Sequence, residues 1–153
     1  MKRRWLTVRE DRAWRAFNLM QTALPAELAR DLGRDSSLSE PDYTVLSTLS
    51  ERDDHRWQLR DLAAKMLWSR SRLSHHIARM EQRGLVARED DPDDHRGCMI
   101  VLTRQGVRTL EKAAPHHVAS VREHFIDLLS ETELASLTQI AERVVDRLGG
   151  RRS

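Results

Sequence analysis

Between residues 69 and 106 the pattern of the chain changes from helical to extended and back, and few folds accommodate that change in so short a span. The run SRSRLSHHIARMEQRG places Leu73, Ile77 and Met80 on one helical line, and Gly84 stands where a helix of that length ends. Ser69 is the natural N-cap. Two short apolar segments, residues 85–89 and 99–102, follow around the polar stretch DPDDHRG and read as a β-hairpin. Ahead of the basic helix, Leu59, Leu62, Ala63 and Met66 mark another short helix that stops before Trp68. Two short helices joined by a tight turn and followed by a hairpin describe a winged helix-turn-helix.

The flanking chain is helical. Ala13, Phe17, Met20, Leu24, Leu28 and Leu32 recur every three or four positions, and Pro25 inside that pattern predicts a kink or break. Ser39 reads as an N-cap with Asp42 as its capping-box partner and Pro41 in the first turn; Tyr43, Leu46 and Leu49 carry the helix onward. Residues 51–56 are polar and aperiodic, which predicts a loop. Thr103 caps a long helix with the line Val107, Leu110, Ala114, Val118, Val121, Phe125 and Leu128, interrupted by Pro115. Ser130 and Glu133 form a capping box for a last helix with Leu134, Leu137, Ile140, Val144 and Leu148 inward, ended by Gly149 and Gly150.

The expected order is thus α-α-α-α-β-β-α-α, mainly α with a small β-hairpin. Residues 36–103 form the winged helix-turn-helix, and residues 1–35 with 104–153 form a helical dimerisation region. The terminal helices need a surface for their apolar stripes that the small central unit does not supply. A second copy supplies one, so a homodimer is expected.

The 153 residues, 39% of them hydrophobic, suffice for one respectable core. Lys and Arg number 26 against 24 Asp and Glu, a formal charge of +2, so nucleic-acid binding must rest on where charge clusters. It clusters on the central helix. Residues 69–83 hold Arg70, Arg72, Arg79 and Arg83 against the single acid Glu81.

Such a helix suits the major groove of duplex DNA. Arg70 and Arg72, near its start, are placed to reach base edges, because a guanidinium bonds both acceptors of guanine at once. Ser74, His75 and His76 are candidates for base edges or phosphates, and Arg79 and Arg83 for phosphates. The hairpin carries Glu89, Asp90, Asp91, Asp93 and Asp94 against Arg88 and Arg96, so it cannot lie along a phosphate backbone. Only Arg96, held by a neighbour such as Asp94, suits a narrow minor groove. The DNA-binding candidates are therefore Ser69, Arg70, Arg72, Ser74, His75, His76, Arg79, Asp94 and Arg96. The rival is a winged-helix module that binds protein. The helix face offers no large apolar residue for that role, so DNA is favoured.

The segment from LRDLA through SRSRLSHHIARMEQRGLV to DPDDHRG and LTRQG closely resembles the MarR family of bacterial transcriptional regulators. The resemblance implies a homodimer whose terminal helices interlock, a palindromic operator read by two winged domains, and repression relieved by a small ligand. It places the family's wing arginine on Arg96, its supporting aspartate on Asp94 and its recognition helix on residues 69–83.

Members of the family commonly bind phenolic or aromatic effectors, for which Trp14, Phe17 and Tyr43 are the candidates here; core or interface packing is the alternative role. Other members sense metals or oxidants. His117 and His124 lie seven residues apart, too far to share one ion without a kink, and Cys98 has no basic cluster beyond Arg96. No metal or cofactor is expected. No phosphate-binding glycine loop, GxSxG elbow or HExxH motif is present, so no catalytic residue is assigned. A single cysteine, an N-terminal segment unlike a signal peptide and no apolar run longer than residues 99–102 point to the cytoplasm, away from membranes.

Overall fold

The computed structural model describes residues 4–149. The elements are α1 (Val8–Asp35), α2 (Glu40–Leu49), β1 (Arg56–Gln58), α3 (Leu59–Lys65), α4 (Arg70–Gln82), β2 (Val86–Asp90), β3 (Cys98–Leu102), α5 (Arg104–His124) and α6 (Glu131–Gly149), with a 3₁₀ turn at Ile126–Leu128. They fall into two compact units. One is Ala29–His117; the other combines the chain up to Leu28 with the chain from Val118 onward.

Side-chain caps set the helix starts. Ser39 Oγ accepts from the Asp42 amide at 3.2 Å while Asp42 Oδ2 accepts from the Ser39 amide at 2.9 Å, a reciprocal box that opens α2. Ser69 Oγ accepts from the Arg72 amide at 3.1 Å to open α4, and Thr103 Oγ1 does the same for α5 through the Gly106 amide at 2.9 Å. Ser130 and Glu133 exchange bonds of 2.8 and 3.3 Å at the start of α6. Gly84 follows α4 with φ +72°, the left-handed conformation that ends a helix without a Cβ penalty.

The core of the 29–117 unit is made of aliphatic side chains from every element around α4. Leu46, Leu49, Leu62, Leu73, Ile77, Met80 and Ile100 are wholly buried. Each such burial contributes about 1.5–3 kcal/mol relative to exposure. The sheet runs β1-β3-β2, all antiparallel, with Ile100 paired to Trp57 on one side and to Arg88 on the other. Trp57, Ile100, Val86 and Leu102 therefore share its inner face, and Arg88 points the same way.

Four expectations need correction. The hairpin is part of a three-stranded sheet, because Arg56–Gln58, expected to close a loop and precede a helix, pairs with β3. Neither Pro25 nor Pro115 breaks its helix; both α1 and α5 run through the proline, since one lost hydrogen bond is outweighed by the turns on either side. Phe125 and Leu128 do not extend α5, which stops at His124, where Phe125 takes φ −143° and a 3₁₀ turn intervenes. Finally, Ile140, Val144 and Leu148 of α6 are more than half exposed, so their stripe is not covered within one chain. Gly149 is still within α6, and Gly150 lies outside the described residues. Among the described residues no helix is long and apolar enough to cross a membrane.

Candidate nucleic-acid interface

The buried stripe of α4 is Leu73, His76, Ile77 and Met80, the i, i+3, i+4, i+7 pattern of one helical face. The opposite face exposes Arg70, Ser71, Arg72, His75 and Arg79. Arg72, His75 and Arg79 thus lie along one exposed side, while Arg70, two residues before Arg72, is exposed on the other flank of the helix that Ser69 caps. The Arg72 guanidinium carbon lies 3.8 Å over the Trp68 ring.

Two of the proposed groove residues sit elsewhere. His76 is buried and turned into the protein, because position 76 falls between Leu73 and Ile77 on the inner face. Its Nδ1 lies 3.0 Å from an Arg79 nitrogen. A guanidinium only donates, so Nδ1 accepts and the ring proton sits on Nε2. Nε2 is 2.9 Å from Asp42 Oδ1, an ion-pair distance without hydrogen-bond alignment. Burial holds His76 below the ordinary histidine pKa; Asp42 opposes that shift, and Arg79 and Arg83 add to it. Ser74 is half-buried and faces the sheet. Its carbonyl and hydroxyl accept from Arg88 Nη2 at 2.6 and 3.3 Å.

Arg83, expected on phosphate, is also engaged internally. It donates to Asp42 Oδ2 at 2.7 Å and to the Ser37 carbonyl at 2.8 Å. Burial acts to raise the Asp42 pKa, yet the Ser39 amide and the Arg83 guanidinium prevail and hold this carboxyl below its usual range. Asp42 thus binds Arg83 at the C-terminal end of α4 and lies beside His76, linking that helix to the start of α2.

The wing is less acidic in effect than in composition. Glu89 pairs with Arg56 across the sheet. Asp91 is buried, accepting from Gln58 Nε2 at 2.5 Å and from the Asp93 amide at 2.9 Å. Asp94 Oδ1 accepts from the backbone amide of Arg96 at 3.0 Å, so it shapes the turn that presents Arg96. A Cβ on Gly97 would come within 2.9 Å of Asp91 Oδ2 and 3.1 Å of the Asp94 carbonyl, which leaves glycine as the residue that fits. Arg96 itself is exposed at the tip.

Arg96 and Arg70 meet at one cleft of about 270 Å³, joined by Arg60 of α3 and by Asp94. Three cations from α3, α4 and the wing therefore converge beside the outer face of α4. Sequence reasoning passed over Arg60, although its place on the polar side of the LRDLA helix was the available signal.

The effector candidates divide between the units. Trp14 and Phe17 pair on α1 with ring centres 5.9 Å apart, each about half exposed. The Tyr43 ring packs against His117 with centres 4.1 Å apart and planes tilted by 38°, and burial followed by the nearby Glu40 raises its hydroxyl pKa.

The sequence model of the MarR family matches residues 38–98. The fold as a whole superposes on AbsC, a MarR family transcriptional regulator from Streptomyces coelicolor, with TM-score 0.93 and 44% identity over 97% of this chain and 99% of that one. The chain belongs to the MarR family. A second MarR family regulator from Streptomyces coelicolor, Sco3205, solved in complex with DNA, gives TM-score 0.93 and 38% identity over 96% of this chain and 92% of that one. The transcriptional regulator HosA of Escherichia coli O111:H- is 30% identical over 86% of this chain and 96% of its own length.

Proposed function

We propose that this protein is a homodimeric repressor that binds a palindromic operator in double-stranded DNA, acts in the cytoplasm and is released by a small effector. The observation that carries the proposal is the outer face of α4. It exposes Arg70, Arg72, His75 and Arg79 with no acid among them, next to Arg60 and Arg96. In this role Arg70 and Arg72 read base edges, His75 and Arg79 meet bases or backbone, and Arg96 enters the minor groove from a turn set by Asp94. Ser69 acts through the cap. Residues 36–103 serve as the DNA-binding domain, and 1–35 with 104–153 as the dimerisation region. Trp14 and Phe17 are the effector-facing aromatic residues of α1, with Tyr43 on α2. The relative Sco3205, which binds DNA in its solved structure, supports the same role.

Selection of bound duplexes from a random pool tests this. A palindrome with half-sites about 10 bp apart, centre to centre, is the expected result. Affinity should fall steeply with salt, as counterions are released from several phosphates. No enrichment, or enrichment without two-fold symmetry, would refute the proposal.

A further inference from the structure

The C-terminal end of α4 is held at Arg83 by three partners. Its guanidinium donates to Asp42 and to the Ser37 carbonyl, and its own carbonyl accepts from Gln105 Nε2 at 3.2 Å. Asp42 is buried, but Ser37 and Gln105 are exposed. Both line a single cleft of about 510 Å³ within the 29–117 unit, between the end of α1 and the first turns of α5.

The rest of that cleft carries three cations, Arg34, Arg108 and Lys112, against one carboxylate, Asp35. Arg34 is balanced by Asp31 and Asp35, each at 3.1 Å. Arg108 and Lys112 stand four residues apart on the exposed side of α5, and neither forms an ion pair among the described residues. Like charges at that spacing repel, so an anion bridging them removes a cost as well as adding an attraction. The volume suits a small molecule, and the charged, hydroxyl-bearing lining suits a polar one.

We propose that this cleft is an effector site for a small multivalent anion, bearing carboxylate or phosphate groups, and that its occupancy is read by α4 through Gln105 and Arg83. The inference rests on the regulator reading above and names a ligand class and a route for it. Arg108 offers a forked pair of donors and Lys112 a point charge. The Gln105 amide donates to the Arg83 carbonyl when the cleft holds no anion. A charged oxygen in the cleft is the stronger acceptor and draws that N–H away. One of the bonds fixing the end of α4 is then lost, and the arginine face is less firmly presented to a groove.

The test uses the full chain, the duplex obtained by selection, and two probes, citrate and inorganic phosphate, at ionic strength held constant with chloride. Citrate or phosphate should lower duplex affinity about 5-fold or more, saturably, in fluorescence anisotropy, and should raise the thermal midpoint of the protein without DNA. Which probe acts at the lower concentration distinguishes a carboxylate from a phosphate ligand. The double variant Arg108→Gln/Lys112→Gln should bind duplex like the parent and lose both responses. Gln105→Met should keep the thermal response and lose the effect on DNA. Equal responses in parent and double variant would show general screening and overturn the site. Reduced duplex affinity of the double variant without any anion would make these cations backbone contacts and overturn it as well. If the parent bound no duplex, the regulator reading would fall, while the thermal response would still decide the anion site.

Discussion

Arg72 shows how much of a contact is prepared before any partner arrives. Its guanidinium rests on Trp68, and Trp68 meets the buried His76 edge-on at 5.7 Å and 86°. The stack restricts a side chain that otherwise loses rotamer freedom on binding, while the residue stays exposed. Trp68→Leu should therefore weaken binding to the preferred duplex by about 0.5–2 kcal/mol and relax the base preference that Arg72 imposes. In an Arg72→Ala background the same change should add nothing; additive losses in that double-mutant cycle would mean that Trp68 acts only through packing. His76 sets a pH dependence instead. Its folded-state pKa is lowered, so the unfolded chain takes up the proton first as pH falls. Its contribution is complete above about pH 6.5, the unperturbed value, and is lost as pH drops through the folded one. Asp42, also lowered, adds a further loss in more acid solution, near and below the ordinary carboxylate range. Urea titrations of His76→Gln should show a flatter stability profile between pH 6.5 and 5 than the parent; matching slopes would remove His76 as the cause.

At the scale of elements, the turns carry strain that the helices do not. Leu67 sits between α3 and α4 with φ +56° and is 71% exposed. A left-handed conformation costs a branched residue about 1–2 kcal/mol, and little apolar burial is forfeited by removing this one. Leu67→Gly should raise unfolding stability by about 0.5–1 kcal/mol, after the entropy of glycine is counted. A drop in the denaturation midpoint would contradict this. In the wing, Arg96→Ala should cost about 1–3 kcal/mol of duplex affinity with the fold intact, since the turn is fixed by Asp91, Asp94 and Gly97 without the guanidinium. Unchanged affinity in a gel-shift titration would remove Arg96 from the interface. These two cases also show what was legible beforehand. Helix starts were readable because Ser39, Ser69, Thr103 and Ser130 act within three residues of themselves. The strand at Arg56–Gln58 was not, because three residues give a single alternation and its pairing partner lies more than forty positions away. The arginine-rich face of α4 was readable from composition. That Ser74, His76 and Arg83 look inward was only half readable: the spacing of Leu73, Ile77 and Met80 already places position 76 inside, whereas Arg88 and Asp42 come from distant sequence.

For the whole molecule, the unresolved demand is apolar surface. Ile140, Val144, Val145 and Leu148 lie on one side of α6 at spacings of four, one and three residues, each more than half exposed. Trp5, Val8 and Leu19 are exposed still further. Scattered single residues would need no explanation, but a stripe along a helix is the mark of an interface. Covering it with the same stripe of a second chain gives a closed two-fold assembly and, with it, two copies of the α4 face. Val144→Glu/Leu148→Glu places like charges at the centre of that contact and should yield a species at the 17.8 kDa monomer mass in light scattering. Binding to an isolated half-site should then stay close to that of the parent. Binding to the full palindrome should fall by about 10²–10⁴-fold, because the second half-site is no longer engaged intramolecularly. A variant that remains dimeric would relocate the interface away from α6. A monomeric variant with undiminished affinity for the palindrome would show that the two half-sites are bound independently.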